Sequence, residues 1–316
     1  MSLRGPNSMD IRKVISELPR GVRVAAALIV VGLSFFYLGN NIVRGLDQVE
    51  LSKLRLQPIP LALSLSLFMI SNFLGGWCWS LILDGLGQKL PLRVNFKIHL
   101  SANIVKYLPG YAWQILGKAY LCNRQGVPGW IIGTGIALEF TCVVLTGLWV
   151  AGLALPQAWL YAWGIGTLSL WRMPCVMALT VLLITSPWLL RRGLQGFGAG
   201  HVPGIMIHRE SLWLMLMLMV IAWLVLGLAF YTFTSMLYPL SPADLPSLTF
   251  SWVVSSILSL AVVFVPMGIG VKEGALAFLL GFHLPMALAS VVAILVRVIV
   301  IVSEALCFLI AQQLWC

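Results

Sequence analysis

The chain is a succession of apolar runs long enough to cross a bilayer, and that limits its fold more than any other feature. Val22–Leu38, Ile59–Leu83, Trp130–Leu155, Leu212–Leu237, Ser247–Val265 and Pro285–Leu314 carry few charged residues or none. A hydrocarbon core is crossed by about 20 such residues. Inside it every backbone polar group must be satisfied by the chain itself, which leaves helices or a closed barrel. A barrel reads as short alternating segments, whereas these runs are continuous. With 60% hydrophobic and 9% charged residues and a mean hydropathy of +0.98, the chain reads as an all-α polytopic membrane protein. About seven to eight transmembrane helices are expected.

Two segments interrupt this pattern. Lys106–Lys118 contains Pro109 and Gly110; Val265–Gly274 contains Pro266, Gly268 and Gly270. Irregular backbone at membrane depth is tolerated only where protein or a wet cavity satisfies it. A matched pair of broken segments in two halves points to a transporter-type site. Around the first break, each half of Arg93–Gln125 has about fifteen residues, too short to span, and suits a re-entrant hairpin. The expected organisation is a tag remnant and cytoplasmic segment over 1–21, then one transmembrane domain over 22–314. Its broken segments fall near 93–125 and 265–281, with an internal repeat as an open option.

Other stretches refine the layout. Asn41–Gln57 has amphipathic spacing and reads as interfacial. The Gly75-Gly76 pair allows close helix packing. Gln157–Leu190, as one helix, would be about 50 Å long against a core of about 30 Å. It is expected to be two short helices meeting near Arg172-Met173-Pro174, or one strongly bent helix. Arg191–Glu210 reads as a Gly-rich polar loop. Basic residues place the N-terminus, Asp84–Gln125 and Arg191–Arg209 on the cytoplasmic side. Two crossings in Gln157–Leu190 would put the Arg191 loop outside; one crossing is expected to leave the two halves uninverted.

Seven charged residues lie in or beside the spans: Lys106, Lys118, Glu139, Lys272, Glu273, Arg297 and Glu304. A charge at the centre of a span costs about 2.5–3.5 kcal/mol on insertion scales, so each needs a partner or a wet cavity. Arg297 and Glu304 are two helical turns apart and share a face. A short helix is expected to begin near Lys272-Glu273, where backbone N–H groups attract anions. The plain alternative is that these residues form buried ion pairs that only hold helices together.

The remaining composition points away from familiar chemistry. There is no HExxH, GxSxG, P-loop or CxxC pair, and no cofactor or metal is expected. His99, His201, His208 and His283 read as loop or interfacial residues. Cys78, Cys122, Cys142, Cys175, Cys307 and Cys316 read mostly as small core residues. The 20 Lys and Arg against 10 Asp and Glu fit cytoplasmic loops and anionic lipid heads, not nucleic acid.

Lys106–Gly126, with Leu108-Pro109-Gly110, Gly117-Lys118 and Tyr120–Gly126, resembles a signature of the lysylphosphatidylglycerol synthase transmembrane-domain family. Pro266-Met-Gly268-Ile-Gly270-Val-Lys272-Glu273-Gly274 is similar to that family's later element. Arg297 matches its last-span arginine and Glu139 its middle-span glutamate. Lys118 stands where the family has arginine. Phe140 and Val143 stand where it often has arginine and aspartate, so the resemblance does not carry over the family's partner for Glu139. The resemblance implies a stand-alone, flippase-like member without the soluble synthase domain, in a bacterial or archaeal inner membrane, with a cytoplasmic N-terminus.

The expected function is therefore a lipid translocase or lipid-binding transporter and not an enzyme. Lys106, Lys118, Lys272 and Arg297 would hold a lipid phosphate. Glu139, Glu273 and Glu304 would pair those cations in the empty state or bind a cationic head group. Expected partners are a membrane phospholipid or a polyprenyl-phosphate lipid; a separate lipid synthase and a homo-oligomer stay open. Two other readings also remain: the membrane half of a lipid-modifying enzyme such as a lipid-linked glycosyltransferase, and a scaffold for a separate synthase.

Overall fold

A computed structural model describes residues 20–45, 57–107, 113–162, 164, 166, 173–182, 209–262 and 268–314. Every regular element among them is helical. In chain order these are α1 (Arg20–Gly45), α2 (Pro58–Gly85), α3 (Leu92–Val105), α4 (Trp113–Arg124), α5 (Gly129–Ala154), α6 (Gln157–Ala162), α7 (Met173–Leu182), α8 (Arg209–Leu237), α9 (Leu245–Ala261), α10 (Val271–Leu280) and α11 (Met286–Leu314). Five helices are long and apolar enough to cross a membrane: Pro58–Gly85, Gly129–Ala154, Glu210–Leu237, Pro242–Ala261 and Met286–Gln313. The chain is an all-helical membrane protein. Expected features in 1–19, 46–56, 183–208 and 315–316 lie outside the described residues. So do Pro109, Gly110, Pro266 and Arg172.

Local signals explain the boundaries. Pro58 and Pro60 open α2, where a missing N–H costs nothing. Gly126, at φ +77°, turns the chain before Pro128 starts α5. Of the Gln157–Leu190 stretch, the described residues include α6, Gln157–Ala162, and α7, Met173–Leu182, with Pro174 in its first turn. The first span extends further than expected. α1 continues to Gly45 and takes in Asn41–Gly45, which the amphipathic pattern assigned to an interfacial helix.

Three contacts fix the direction of α8 against α2. The Ser64 hydroxyl donates to the Ala229 carbonyl (2.8 Å), Cys78 Sγ meets the Met215 carbonyl (3.8 Å) and Ser211 donates to Asp84 (2.5 Å). Numbers rise on one helix as they fall on the other, so the two are antiparallel. α5 is antiparallel to α2 as well. A Cβ on Gly135 would touch Ile82 and Trp79, and Cys142 lies in electrostatic reach of Cys78. α5 therefore ends at the far end of the bundle, while α8 starts at the near end, beside Asp84.

Each short helix pair returns to the end from which it set out. Cys122 of α4 packs with Leu86, Val127 and Ile131 at the near end. At the far end, Asp244 before α9 lies 3.7 Å from His283 after α10. Burial lowers the His283 pKa below the ordinary histidine value, and Asp244 opposes that shift. The pair α3–α4 thus sets out from the near end and α9–α10 from the far end. The two halves, α2–α5 and α8–α11, are inverted.

Packing repeats between the halves. α3 lies on α2 and α11, and its counterpart α9 lies on α8 and α5; each short pair also packs internally. Two cysteines placed at Ser64 and Ala229 (Ser64→Cys with Ala229→Cys) should form a disulfide on mild oxidation, since bridged Cα atoms lie about 4.4–6.8 Å apart. Ser64→Cys with Met215→Cys should not. Peptide mass spectrometry reads both, and the reverse outcome would remove the antiparallel register.

Candidate functional site

The two short pairs and the long helices around them enclose a cavity of about 820 Å³. All seven charged residues singled out in the sequence line it: Lys106, Lys118, Glu139, Lys272, Glu273, Arg297 and Glu304. Gly268 lines it too, and with Gly270 it builds the second break. Their φ values of +57° and +83° lie in the left-handed region open to glycine. A side chain on Gly268 would also collide with Ser259 of α9.

Three ion pairs cross this space. Lys118 Nζ bonds both carboxylate oxygens of Glu139, at 2.7 and 2.6 Å. Lys106 bonds Glu304 at 2.6 Å, and Arg297 bonds Glu273 at 2.5 Å. The side chains of Lys118, Glu273 and Glu304 are 4%, 6% and 7% exposed, so these are buried pairs. Arg297 and Glu304 do share a face of α11, yet each finds its partner on a different element. The helix start at Val271, expected to attract an external anion, is served internally. The Glu273 carboxylate accepts the Gly270 N–H at 2.6 Å while its other oxygen holds Arg297. Lys272, one residue earlier, pairs with no carboxylate among the described residues. Its ammonium lies 3.8 Å from the centroid of the Trp252 ring.

The long helices present matching stripes. Ile136, Glu139, Phe140 and Val143 on α5, and Ala293, Val296, Arg297 and Val300 on α11, line the cavity with identical spacing. At the same offset His99 and Asn103 on α3 match Ser256 and Leu260 on α9. Each half joins its second short helix to its second long helix by an ion pair, with the signs exchanged. The first half has the base on α4 and the acid on α5; the second has the acid on α10 and the base on α11.

Several site residues were not picked out by charge. His99, assigned to a loop or interface, is buried and lines the cavity. Its Nδ1 lies 3.3 Å from Lys118 Nζ and 3.6 Å from Glu139, and its Nε2 lies 3.2 Å from the Asn103 amide. Asn103 bonds Asn72 at 3.2 Å and accepts from Gln114 at 2.9 Å. The signal was present: Asn95, His99 and Asn103 recur every four residues along one face of α3. The Gly75-Gly76 pair makes this packing fit, since a Cβ on Gly75 would stand 2.7 Å from His99 and one on Gly76 would collide with Phe96. Cys78, Cys122, Cys142 and Cys307 are buried and free, whereas Cys175 is exposed. No cluster of metal ligands occurs among the described residues.

Removing one member of a buried pair strands the other. Lys118→Met should cost about 3–5 kcal/mol, seen as a lower melting temperature in detergent, while Lys118→Met with Glu139→Met should recover most of it. Equal losses in both variants would show that the pair does not act as a unit.

No protein-family model matches this chain, and neither does any curated protein.

Proposed function

We propose that the protein is a lipid translocase or lipid-binding transporter that moves a phosphate-bearing lipid, anionic or aminoacylated, between leaflets. One observation carries this reading: a cavity of about 820 Å³ lies between two oppositely oriented pairs of short helices and is lined by seven charged side chains. In transporters built from inverted repeats, substrate sites lie near the bilayer midplane between discontinuous helices. Charge at that depth is costly and by default marks a functional path. The resemblance of the two break motifs to the lysylphosphatidylglycerol synthase transmembrane-domain family supports the same class.

On this reading α3–α4 and α9–α10 are re-entrant pairs entering from opposite leaflets, and acyl tails stay in the bilayer beside the cavity. Arg93, Lys97 and Arg124 belong to the pair at the near end, which makes that end cytoplasmic by the positive-inside rule. The head group enters the cavity, where Lys272 receives its phosphate. The pairs Lys118–Glu139, Arg297–Glu273 and Lys106–Glu304 open or re-form as the head group passes.

Reconstitution into vesicles carrying a fluorescently labelled phospholipid tests this. The wild-type protein should accelerate exchange between leaflets, and Lys272→Ala and Arg297→Ala should each slow it about ten-fold or more, the scale of a charge-assisted hydrogen bond. Wild-type rates in both variants would remove the site assignment. Absence of any acceleration by the wild-type protein would remove the transporter reading.

A further inference from the structure

Four cations and three carboxylates line the cavity. Lys106, Lys118 and Arg297 each hold a carboxylate. His99 Nδ1 lies 3.3 Å from the Lys118 ammonium, where a protonated ring would set two cations side by side, so His99 is counted as neutral. The sequence of the bordering stretches 108–112 and 263–267 contains no Asp, Glu, Lys or Arg. Among the described residues the lining is therefore one positive charge above balance, and the surplus sits at Lys272.

A second observation falls at the same place. Trp252, whose ring carries the Lys272 ammonium, is 3% exposed, and its indole N–H has no acceptor among the described residues. Buried donors without acceptors are rare in folded proteins. The neighbouring hydroxyls do not answer it: Ser256 donates to the Trp252 carbonyl and Ser259 to the Ser256 carbonyl, both within α9. One cation and one unanswered donor thus converge on a single spot.

We propose that Lys272 and Trp252 form a site for one negative charge, the phosphodiester of a lipid head group with net charge −1. Lipids that are zwitterionic or net cationic are discriminated against. This rests on the transporter reading above and chooses between its two substrate classes. A phosphodiester monoanion brings the lining to neutrality. A zwitterion adds an ammonium and leaves the surplus in place. An aminoacylated lipid with net positive charge increases it, and its ammonium could reach Glu139, Glu273 or Glu304 only by displacing a cation already there.

Purified full-length protein would be incubated with vesicles containing equal parts of phosphatidylglycerol, phosphatidylcholine and lysyl-phosphatidylglycerol. Retained lipid would then be read by native mass spectrometry. Phosphatidylglycerol should be enriched about ten-fold over either competitor, the scale of one charge-assisted hydrogen bond. Lys272→Gln should abolish the enrichment, Lys272→Arg should keep most of it, and Trp252→Phe should weaken it by removing the N–H alone. Because Lys272 holds no carboxylate, Lys272→Gln should melt with the wild-type protein; if it does not fold, Lys272→Arg and Trp252→Phe carry the comparison. Equal retention of the three lipids, or undiminished enrichment in Lys272→Gln, overturns the proposal. Displacement of the lipid by equimolar soluble glycerophosphoglycerol overturns the lipid source. Leaflet exchange without charge preference leaves the transporter reading standing and this proposal refuted.

Discussion

Charge in an apolar surround must be answered locally, and the arrangement of this bundle follows from that requirement. Lys118 answers Glu139, Arg297 answers Glu273 and Lys106 answers Glu304, each across two different elements. Bringing them together needs short helices that stop inside the bundle. Gly268 and Gly270 supply the turn at one break, and the glycines at 75 and 76 let α3 approach α2 closely enough to seat His99. Replacing such pairs by apolar residues is often neutral or stabilising, so stability alone does not explain their retention. The proposed transport of a charged ligand would give a reason for it.

Much of this was legible in the sequence, and for a definite reason. A charge inside an apolar run is conspicuous, so all seven charges that line the cavity could be named, as could the five membrane-length helices. Pairing was not legible. Arg297 and Glu304 sit two turns apart on one helix, and spacing reports a shared face, not a partner on another element. Uncharged polar residues were lost for the opposite reason. Asn72, Asn103 and Gln114 do not stand out by charge, and His99 became visible only through its four-residue spacing with Asn95 and Asn103. Direction was not legible either, because the sense of each half rests on contacts between elements far apart in the sequence.

Inversion makes the halves alike in backbone but not in charge. The stripes on α5 and α11 have the same spacing, yet Glu139 falls opposite Val296 and Phe140 opposite Arg297. Either arrangement satisfies the local need for a counter-charge, so the fold tolerates both signs. A ligand would not: it would meet a base on the short helix of one half and an acid on the short helix of the other. On the proposed reading, a head group moving between leaflets would pass two chemically different stations within one symmetric frame.

The exchange of sign also accounts for the surplus. Each half carries a lysine over a tryptophan face, Lys118 over Trp79 at 4.1 Å and Lys272 over Trp252 at 3.8 Å. In the first half the long helix offers Glu139, and Lys118 is neutralised. In the second half the long helix offers Arg297. Glu273 must answer that arginine and cap its own helix at Gly270, which leaves its neighbour Lys272 with only the ring beneath it. One unanswered cation is then the consequence of reversing a single sign on α11. The indole N–H groups of both Trp79 and Trp252 lack an acceptor among the described residues, so it is the unanswered charge of Lys272 that makes the second half the one suited to an anion.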